Sequence, residues 1–256
     1  MPIASQFSRS DVMIGASRAF PIGTVGVQPQ TQSQPLRGLT VLAVEDSRFA
    51  SEALRLMCQR SGARLRRAET LAAAQAHLRL YKPDVVIIDL GLPDGRGEAL
   101  IRDLMLRPLR PRAVLGTSGD TSGRAMALAA GADGFLDKPL ESLAAFQRVI
   151  LRHLPNASAD IDATDDPTLV PDPLALHDDL AHAAAVLAAS PDAPARQYLA
   201  GFLTGVARHA HDAALEAAAG KAGEAPMDGA MEVLRGMIDR RLAQGSAAFS
   251  TQRREG

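Results

Sequence analysis

Residues 84–97 read DVVIIDLGLPDGRG, and this stretch decides the fold class. The apolar run VVII at 85–88 is short, β-branched and bounded by aspartates, so it predicts a buried strand. The sequence PDG at 93–95 is typical of a turn, and a segment of helical period follows near 95–107. A buried strand that leads through a turn into a helix is the unit from which parallel sheets are built.

The same pattern of strand and helix continues on both sides of this stretch. Strands are expected near 40–45, 64–68, 84–89, 112–118 and 133–137, and helices near 47–61, 70–80, 95–107, 122–130 and 141–153. Short apolar runs that alternate with helical segments predict an α/β fold, a doubly wound five-stranded parallel sheet. Cys58 lies on the apolar stripe of the first helix, which favours a core residue over a reactive thiol.

The amino-acid composition predicts how the chain is divided into domains, linkers and tails. The expected organisation is a flexible N-terminal extension at 1–38, the α/β domain at 39–154, a Pro- and Asp-rich linker at 155–172, a small all-α region at 173–245 and a flexible tail at 246–256. Within the all-α region, Ala- and Leu-rich helical patterns occur near 173–189, 193–218 and 228–243. They predict a small helical bundle or hairpin that serves as an output or dimerisation region.

Composition also limits the classes of function. With 46% hydrophobic and 22% charged residues, most of the 256-residue chain is expected to fold. One cysteine excludes a disulfide framework within the chain and a cysteine-cluster zinc site, and it is compatible with a reducing compartment. No continuous apolar run reaches about 18 residues, so we expect a cytoplasmic protein that makes no membrane contact.

The charge is divided unevenly between the two halves of the chain. The net charge is −1, but residues 1–155 carry 20 basic and 14 acidic side chains, and residues 156–256 carry 8 and 15. A DNA-binding region normally needs a basic face to neutralise phosphates. The acidic second half therefore favours a protein partner or a homodimer over nucleic acid.

Polar side chains end most of the predicted strands. They are Glu45 and Asp46 after the first strand, Asp89 after the third, Thr117 and Ser118 at the end of the fourth, and Lys138 and Pro139 after the fifth. Ligands of open parallel sheets bind at the carboxyl ends of the strands. Carboxylates that converge there repel one another unless a cation joins them, and a set of oxygen ligands suits Mg²⁺. Asp89 is the expected nucleophile, because a carboxylate can accept a phosphoryl group.

Four segments together resemble the receiver domain of two-component response regulators, of the chemotaxis-Y-like kind, over about 39–154. They are VLAVEDS, VVIIDLGLPDGRG, TSGD and AAGADGFLDKPL. The resemblance implies a flavodoxin-like sheet of order 2-1-3-4-5 and a bacterial phosphoprotein. It also implies that Asp89 takes a phosphoryl group from the phosphohistidine of a sensor histidine kinase or phosphotransfer protein.

The resemblance further implies roles for single residues. Glu45, Asp46, Asp89 and the backbone carbonyl of Gly91 would hold Mg²⁺, Lys138 would pair with the phosphoryl group, and Pro139 would follow a cis peptide bond. Such a receiver gains and loses its own phosphoryl group and is not an enzyme that turns over an external substrate.

Two positions depart from the family pattern. Counting back from Lys138 at the usual spacing reaches Gly116, which has no hydroxyl, so a shortened loop is expected. In that case Ser118 is the preferred switch hydroxyl and Thr117 the second choice. Phe135 stands where the family often has a tyrosine, so its switch would depend on packing alone.

Three functions remain open for the all-α region. The leading one is a response regulator whose receiver controls a helical output that does not bind DNA. The alternative is a phosphorelay intermediate, with a phosphotransfer histidine at His209 or His211 on a helix. A third is a phosphate sink whose helices only hold a dimer.

Overall fold

The structure of the protein is a computed structural model that describes residues 34–154, 172–224 and 228–252. All of the described residues belong to one compact unit. Residues 1–33, nearly all of the expected linker, and 253–256 lie outside them.

The main sheet has five parallel strands in the order β2-β1-β3-β6-β7. The strands are β1 (Thr40–Val44), β2 (Arg64–Ala68), β3 (Val85–Asp89), β6 (Ala113–Ser118) and β7 (Gly134–Asp137), and a short antiparallel hairpin pairs β4 (Gly91–Leu92) with β5 (Gly95–Arg96). Numbered within the main sheet alone, this order is 2-1-3-4-5. The predicted fold class is therefore confirmed.

Five helices cover the two faces of the sheet. They are α1 (Arg48–Ser61), α2 (Leu71–Leu80), α3 (Gly97–Met105), α4 (Gly123–Ala129) and α5 (Leu143–Leu151). Ser47, Thr70 and Ser142 begin α1, α2 and α5, and each side chain accepts a hydrogen bond from the backbone N–H three residues later. These bonds satisfy backbone donors that a helix leaves unpaired at its first turn.

Alternating residues of the buried strands supply two separate cores. In β3, Val85 and Ile87 pack with α1 and α5, while Val86 and Ile88 pack with α2, α3 and α4. Both faces of the strand are apolar because helices cover both sides of the sheet. Cys58 is fully buried in the first core, which agrees with the core position expected for it.

The all-α region forms a third core. Its helices are α6 (Pro173–Ala188), α7 (Ala193–His209), α8 (Ala213–Glu224) and α9 (Asp228–Gln252). The single helical pattern expected over 193–218 was wrong, since the chain turns between α7 and α8. His211 has a φ of 53°, outside the helical region, and Asp212 accepts a hydrogen bond from the N–H of Leu215 to begin the next helix.

The structure also differs from the expected boundaries at two ends. Leu36, placed within the flexible extension, is fully buried against the first core, and its N–H donates to the carbonyl of Ser61. At the other end, α9 continues to Gln252, beyond the expected end of the all-α region at residue 245. Among the described residues, no helix is both long and apolar enough to cross a membrane.

Candidate phosphorylation and metal site

Three carboxylates meet at the carboxyl edge of the main sheet. Glu45 and Asp46 follow β1, and Asp89 is the last residue of β3, the strand beside it. One oxygen from each of the three lies within 4.8 Å of the others. Parallel neighbouring strands end at the same edge, so residues far apart in sequence form one acidic cluster, by which we mean Glu45, Asp46 and Asp89.

Lys138, directly after β7, supplies a cation to this cluster. Its Nζ lies 2.6 Å from Glu45 Oε2 and 2.8 Å from Asp89 Oδ2. Glu45 and Lys138 are buried and Asp89 is 8% exposed, so these ion pairs are little screened by solvent. The structure therefore brings together four of the residues that sequence analysis selected.

The cluster holds more negative charge than one lysine balances. Burial raises the pKa of Glu45 to about 8, with the charges of Asp89 and Asp46 adding to the rise and Lys138 opposing it. Burial likewise raises the pKa of Asp46 to about 6, and the charge of Asp89 adds to it. Burial opposes the charge on Lys138, but the carboxylates of Asp89 and Glu45 raise its pKa above the usual value. A divalent cation would relieve the remaining repulsion.

Thr117 and Ser118 differ in how their hydroxyls are used. Thr117 pairs with Asp89 in the register of β3 and β6, is fully buried, and its hydroxyl has no hydrogen-bond partner. The Ser118 hydroxyl accepts a hydrogen bond from the N–H of Asp120 at 3.0 Å. The register with Asp89 and the unpaired hydroxyl favour Thr117 as the switch hydroxyl, whereas the family pattern predicts Ser118 first.

The backbone beside Asp89 is tightly packed. A Cβ on Gly97, the first residue of α3, would lie 2.1 Å from the carbonyl oxygen of Asp89, so a side chain there would displace the acceptor strand or the helix. Gly91, the expected carbonyl ligand, is exposed two residues after Asp89 in the β4–β5 hairpin.

Two further expected residues lie on β7 and directly after it. The peptide bond between Lys138 and Pro139 is cis. Phe135 is 4% exposed, and a Cβ on Gly116 would lie 3.2 Å from its ring, so the ring already occupies an inward position. The Arg124 guanidinium lies 5.3 Å from the centre of the ring.

Comparison with known proteins identifies this part of the chain. A family model described as the response regulator receiver domain matches residues 41–149, which contain every residue of the acidic cluster and Lys138. Residues 41–149 are a response regulator receiver domain.

Two curated relatives are similar to part of the chain. The KDP operon transcriptional regulatory protein KdpE of Escherichia coli is 38% identical over 142 residues, which are 55% of this chain and 58% of that protein. The virulence transcriptional regulatory protein PhoP of Salmonella typhimurium is 33% identical over 121 residues, 44% of this chain and 52% of that protein. The chain thus matches about half the length of these relatives.

Among solved structures, the receiver domain of a signal transduction histidine kinase from Syntrophus aciditrophicus is 27% identical. The match covers 52% of this chain and 98% of that one, with a TM-score of 0.42.

A carboxylate from the all-α region binds the first turn of α1 in the receiver domain. Asp179, on α6, accepts hydrogen bonds from the Ser47 hydroxyl at 2.8 Å and from the backbone N–H groups of Arg48 at 2.8 Å and Phe49 at 3.0 Å. It is 3% exposed. Two of these donors are N–H groups that the helix itself leaves unpaired, and the positive end of the helix dipole favours the negative charge.

A tyrosine from the all-α region reaches the acidic cluster itself. The hydroxyl of Tyr198, on α7, donates a hydrogen bond to Asp46 Oδ2. Neither Tyr198 nor Asp179 was predicted from the sequence as a site residue. The available signals were weak, since Tyr198 is one of only two tyrosines and Asp179 follows another aspartate in the first turns of an amphipathic helix.

The two candidate phosphotransfer histidines were predicted on one helix, but only His209 lies on a helix. His209, the last residue of α7, is 7% exposed, and its Nε2 accepts a hydrogen bond from the N–H of Leu140 at 3.4 Å. Burial, together with the charge of Lys138, lowers its pKa to about 3. His211 follows in the turn, exposed, with its Nε2 2.8 Å from Glu141 Oε1. His209 thus serves as a contact to the receiver domain.

Proposed function

We propose that the protein is a bacterial, cytoplasmic response regulator in a two-component phosphorelay, with Asp89 as the phosphoryl acceptor. The observation that carries the proposal is the acidic cluster with Lys138 at 2.8 Å from Asp89 Oδ2. The match of residues 41–149 to the receiver family supports it. The phosphoryl donor would be a sensor histidine kinase or a phosphotransfer protein.

The acidic cluster and the carbonyl of Gly91 would hold Mg²⁺. All of these ligands are oxygen atoms, which Mg²⁺ prefers. Burial and mutual repulsion already raise the pKa of Glu45 and of Asp46, so the site fits a divalent cation. When bound, Mg²⁺ neutralises negative charge on the phosphoryl oxygens.

The chain's own residues perform the transfer as follows. An oxygen of Asp89 forms a bond to phosphorus while the bond from phosphorus to the imidazole nitrogen of the donor breaks, and the electron pair remains on the imidazole. Lys138 pairs with a phosphoryl oxygen at the position where it now contacts Asp89. Water later attacks the aspartyl phosphate, which releases inorganic phosphate and restores the Asp89 carboxylate, so no external substrate is turned over.

Thr117 is the switch hydroxyl that the geometry favours, with Ser118 as the alternative. Its buried hydroxyl lacks a partner and its strand position is level with Asp89. A hydrogen bond from this hydroxyl to the phosphoryl group would draw in the loop after β6. The surface formed by α4, β7 and α5 would then change, with Phe135 holding the packing beneath it.

The output proposed for the all-α region is a contact with protein, either a partner or a second copy. Its acidic composition is the reason for excluding DNA. A phosphorelay role for His209 is less well supported, because a phosphotransfer histidine must reach a partner and this one is 7% exposed. His211 is the exposed candidate that remains for that alternative.

Phosphoryl uptake from phosphoramidate, a small donor, tests the acceptor assignment. With Mg²⁺, intact mass spectrometry should show one added phosphoryl group on the wild type and none on Asp89→Asn. Asp94→Asn is the matched control, since Asp94 lies nearby in the sequence but only accepts hydrogen bonds from the start of α2. Chelation of Mg²⁺ should abolish the uptake. Equal labelling of Asp89→Asn and the wild type would refute the proposal.

A further inference from the structure

Helix α7 lies across the loops that carry the site residues. It meets the loop after β1 through Tyr198 and Asp46, and it packs against the β4–β5 hairpin that follows Asp89. Gly205 lies against Gly119 after β6, where an added Cβ would be 3.3 Å from the Gly205 Cα. His209 binds the N–H of Leu140 after β7. One helix thus spans the carboxyl edge of the sheet.

Buried polar bonds hold this arrangement in place. Asp179 is almost completely buried and makes three hydrogen bonds to the first turn of α1, a helix of 14 residues. Bonds from charged groups to backbone donors are stronger than neutral ones. Beside it, Arg48 pairs with Asp178 at 2.7 Å, but both of those side chains are about half exposed and the pair contributes little.

The hydrogen bond from Tyr198 uses a ligand group of the metal site. Asp46 Oδ2 accepts the tyrosine hydroxyl, while Lys138 bonds to Glu45 and Asp89. Asp46 is therefore bonded from within the chain, and α7 lies beside the acidic cluster and the β4–β5 hairpin that follows Asp89.

We propose that α6 and α7 form a lid over the acidic cluster, latched by Asp179 and closed by Tyr198, and that Mg²⁺ binding and phosphoryl transfer require the lid to open. This regulation rests on the proposed function, because it acts on the same site. A cation that takes Asp46 displaces the Tyr198 hydroxyl, so metal and lid compete. The apparent affinity for Mg²⁺ is then the intrinsic affinity multiplied by the fraction of molecules in which the lid is open.

Magnesium affinity of the full chain tests the lid. Isothermal titration with Mg²⁺ alone should give roughly tenfold tighter binding for Asp179→Ala than for the wild type, a change of about 1.4 kcal/mol. Tyr198→Phe, which keeps the ring and removes only the hydroxyl, should also bind more tightly. Asp178→Ala removes the exposed neighbour of the latch and should behave as the wild type does. Equal Mg²⁺ affinity of the wild type and all three variants would contradict the proposal that a lid restricts metal binding.

A second readout follows Tyr198 directly. The chain has no tryptophan and two tyrosines, so in a Tyr81→Phe background the tyrosine emission comes from Tyr198 alone. Saturation with Mg²⁺ should change this emission as the hydroxyl leaves the carboxylate. An unchanged emission at full metal occupancy would show that Tyr198 and the metal bind Asp46 at the same time. That result would contradict the proposal that Mg²⁺ displaces the Tyr198 hydroxyl.

Phosphoryl uptake from phosphoramidate separates failure of the lid from failure of the proposed function. If the lid is correct, Asp179→Ala is labelled faster than the wild type. If both are labelled at one rate, the lid is wrong and the acceptor assignment stands. If neither protein binds Mg²⁺ nor gains a phosphoryl group, the proposed function fails and the lid with it.

Discussion

At the scale of single residues, Lys138 balances part of the negative charge on the buried carboxylates of the acidic cluster, which would otherwise repel one another. Its Nζ contacts two carboxylates, and a third lies close by. Removal of one partner from a buried ion pair leaves uncompensated charge, which costs far more than loss of an exposed pair.

Replacement of Lys138 by methionine should therefore destabilise the receiver domain. We expect Lys138→Met to lower the free energy of unfolding at neutral pH without Mg²⁺ by about 3–5 kcal/mol. Urea unfolding followed by circular dichroism measures this. Lys82→Met, at an exposed position, is the control and should change stability by less than about 0.5 kcal/mol. A loss as small as that in Lys138→Met would mean that the buried pairs contribute nothing.

The carboxyl groups predict a pH dependence of stability. The folded-state pKa values of Glu45 and Asp46, about 8 and about 6, lie above their ordinary values of 4.5 and 3.8. In this range the folded chain binds more protons than the unfolded chain, so these groups make the free energy of unfolding fall as pH rises toward 8.

Saturating Mg²⁺ should reduce this fall, because it binds the ionised carboxylates and stabilises the folded state at high pH. Urea unfolding at pH 5 and pH 8, with and without Mg²⁺, measures the effect. Glu45→Gln removes the larger of the two contributions and should flatten the metal-free pH dependence. A steep fall that persists in Glu45→Gln would assign it to other groups.

At the scale of helices and strands, one aspartate fixes the turn that divides α7 from α8. Asp212 accepts the N–H of Leu215, and both of its oxygens bond to Arg241 of α9. It therefore begins α8 and joins it to the last helix. This turn also ends α7 at His209, next to the receiver domain.

Loss of Asp212 should weaken the all-α region. Asp212→Ala removes a helix cap, which costs about 1–2 kcal/mol, together with the partly buried ion pair to Arg241. Thermal unfolding monitored by circular dichroism should show a lower midpoint. The exposed Asp239, on α9, gives the control Asp239→Ala, which should unfold as the wild type does. Equal midpoints for the two variants would show that the cap is dispensable.

Local sequence patterns predict the sheet and most of the site. The central strands are short apolar runs, and Asp89 and Lys138 stand at strand ends where parallel topology gathers them. By contrast, Tyr198 and Asp179 contact residues more than 130 positions away, and no local pattern encodes such a pairing. The turn at Asp212 was missed because Ala-rich sequence on both sides keeps a helical period through it.

At the scale of the whole molecule, the receiver domain and the all-α region share an interface at the site. The α6 and α7 helices pack on α1, so a change in the acidic cluster reaches the all-α region directly. Phosphorylation would therefore act on the helices that cover the site as well as on the surface formed by α4, β7 and α5. Under the proposed function, either route would alter contacts with protein.

A change of molar mass would show that the output is a homodimer. With Mg²⁺ and beryllofluoride, a phosphoryl mimic, light scattering should report twice the monomer mass for the wild type and the monomer for Asp89→Asn. The reason is that release of the lid exposes faces of α6 and α7 that can pair with a second copy. A constant mass in both proteins would assign the output to a different partner.

The bond between Asp179 and the start of α1 joins two regions of the same chain. Because residues 155–171 connect the two regions covalently, the latch is an intramolecular ligand, and its occupancy depends on an effective concentration set by the tether. That concentration is in the millimolar range for a short flexible connection and falls as the connection lengthens. Insertions there would shift the threshold for activation while every contact at the latch stays the same.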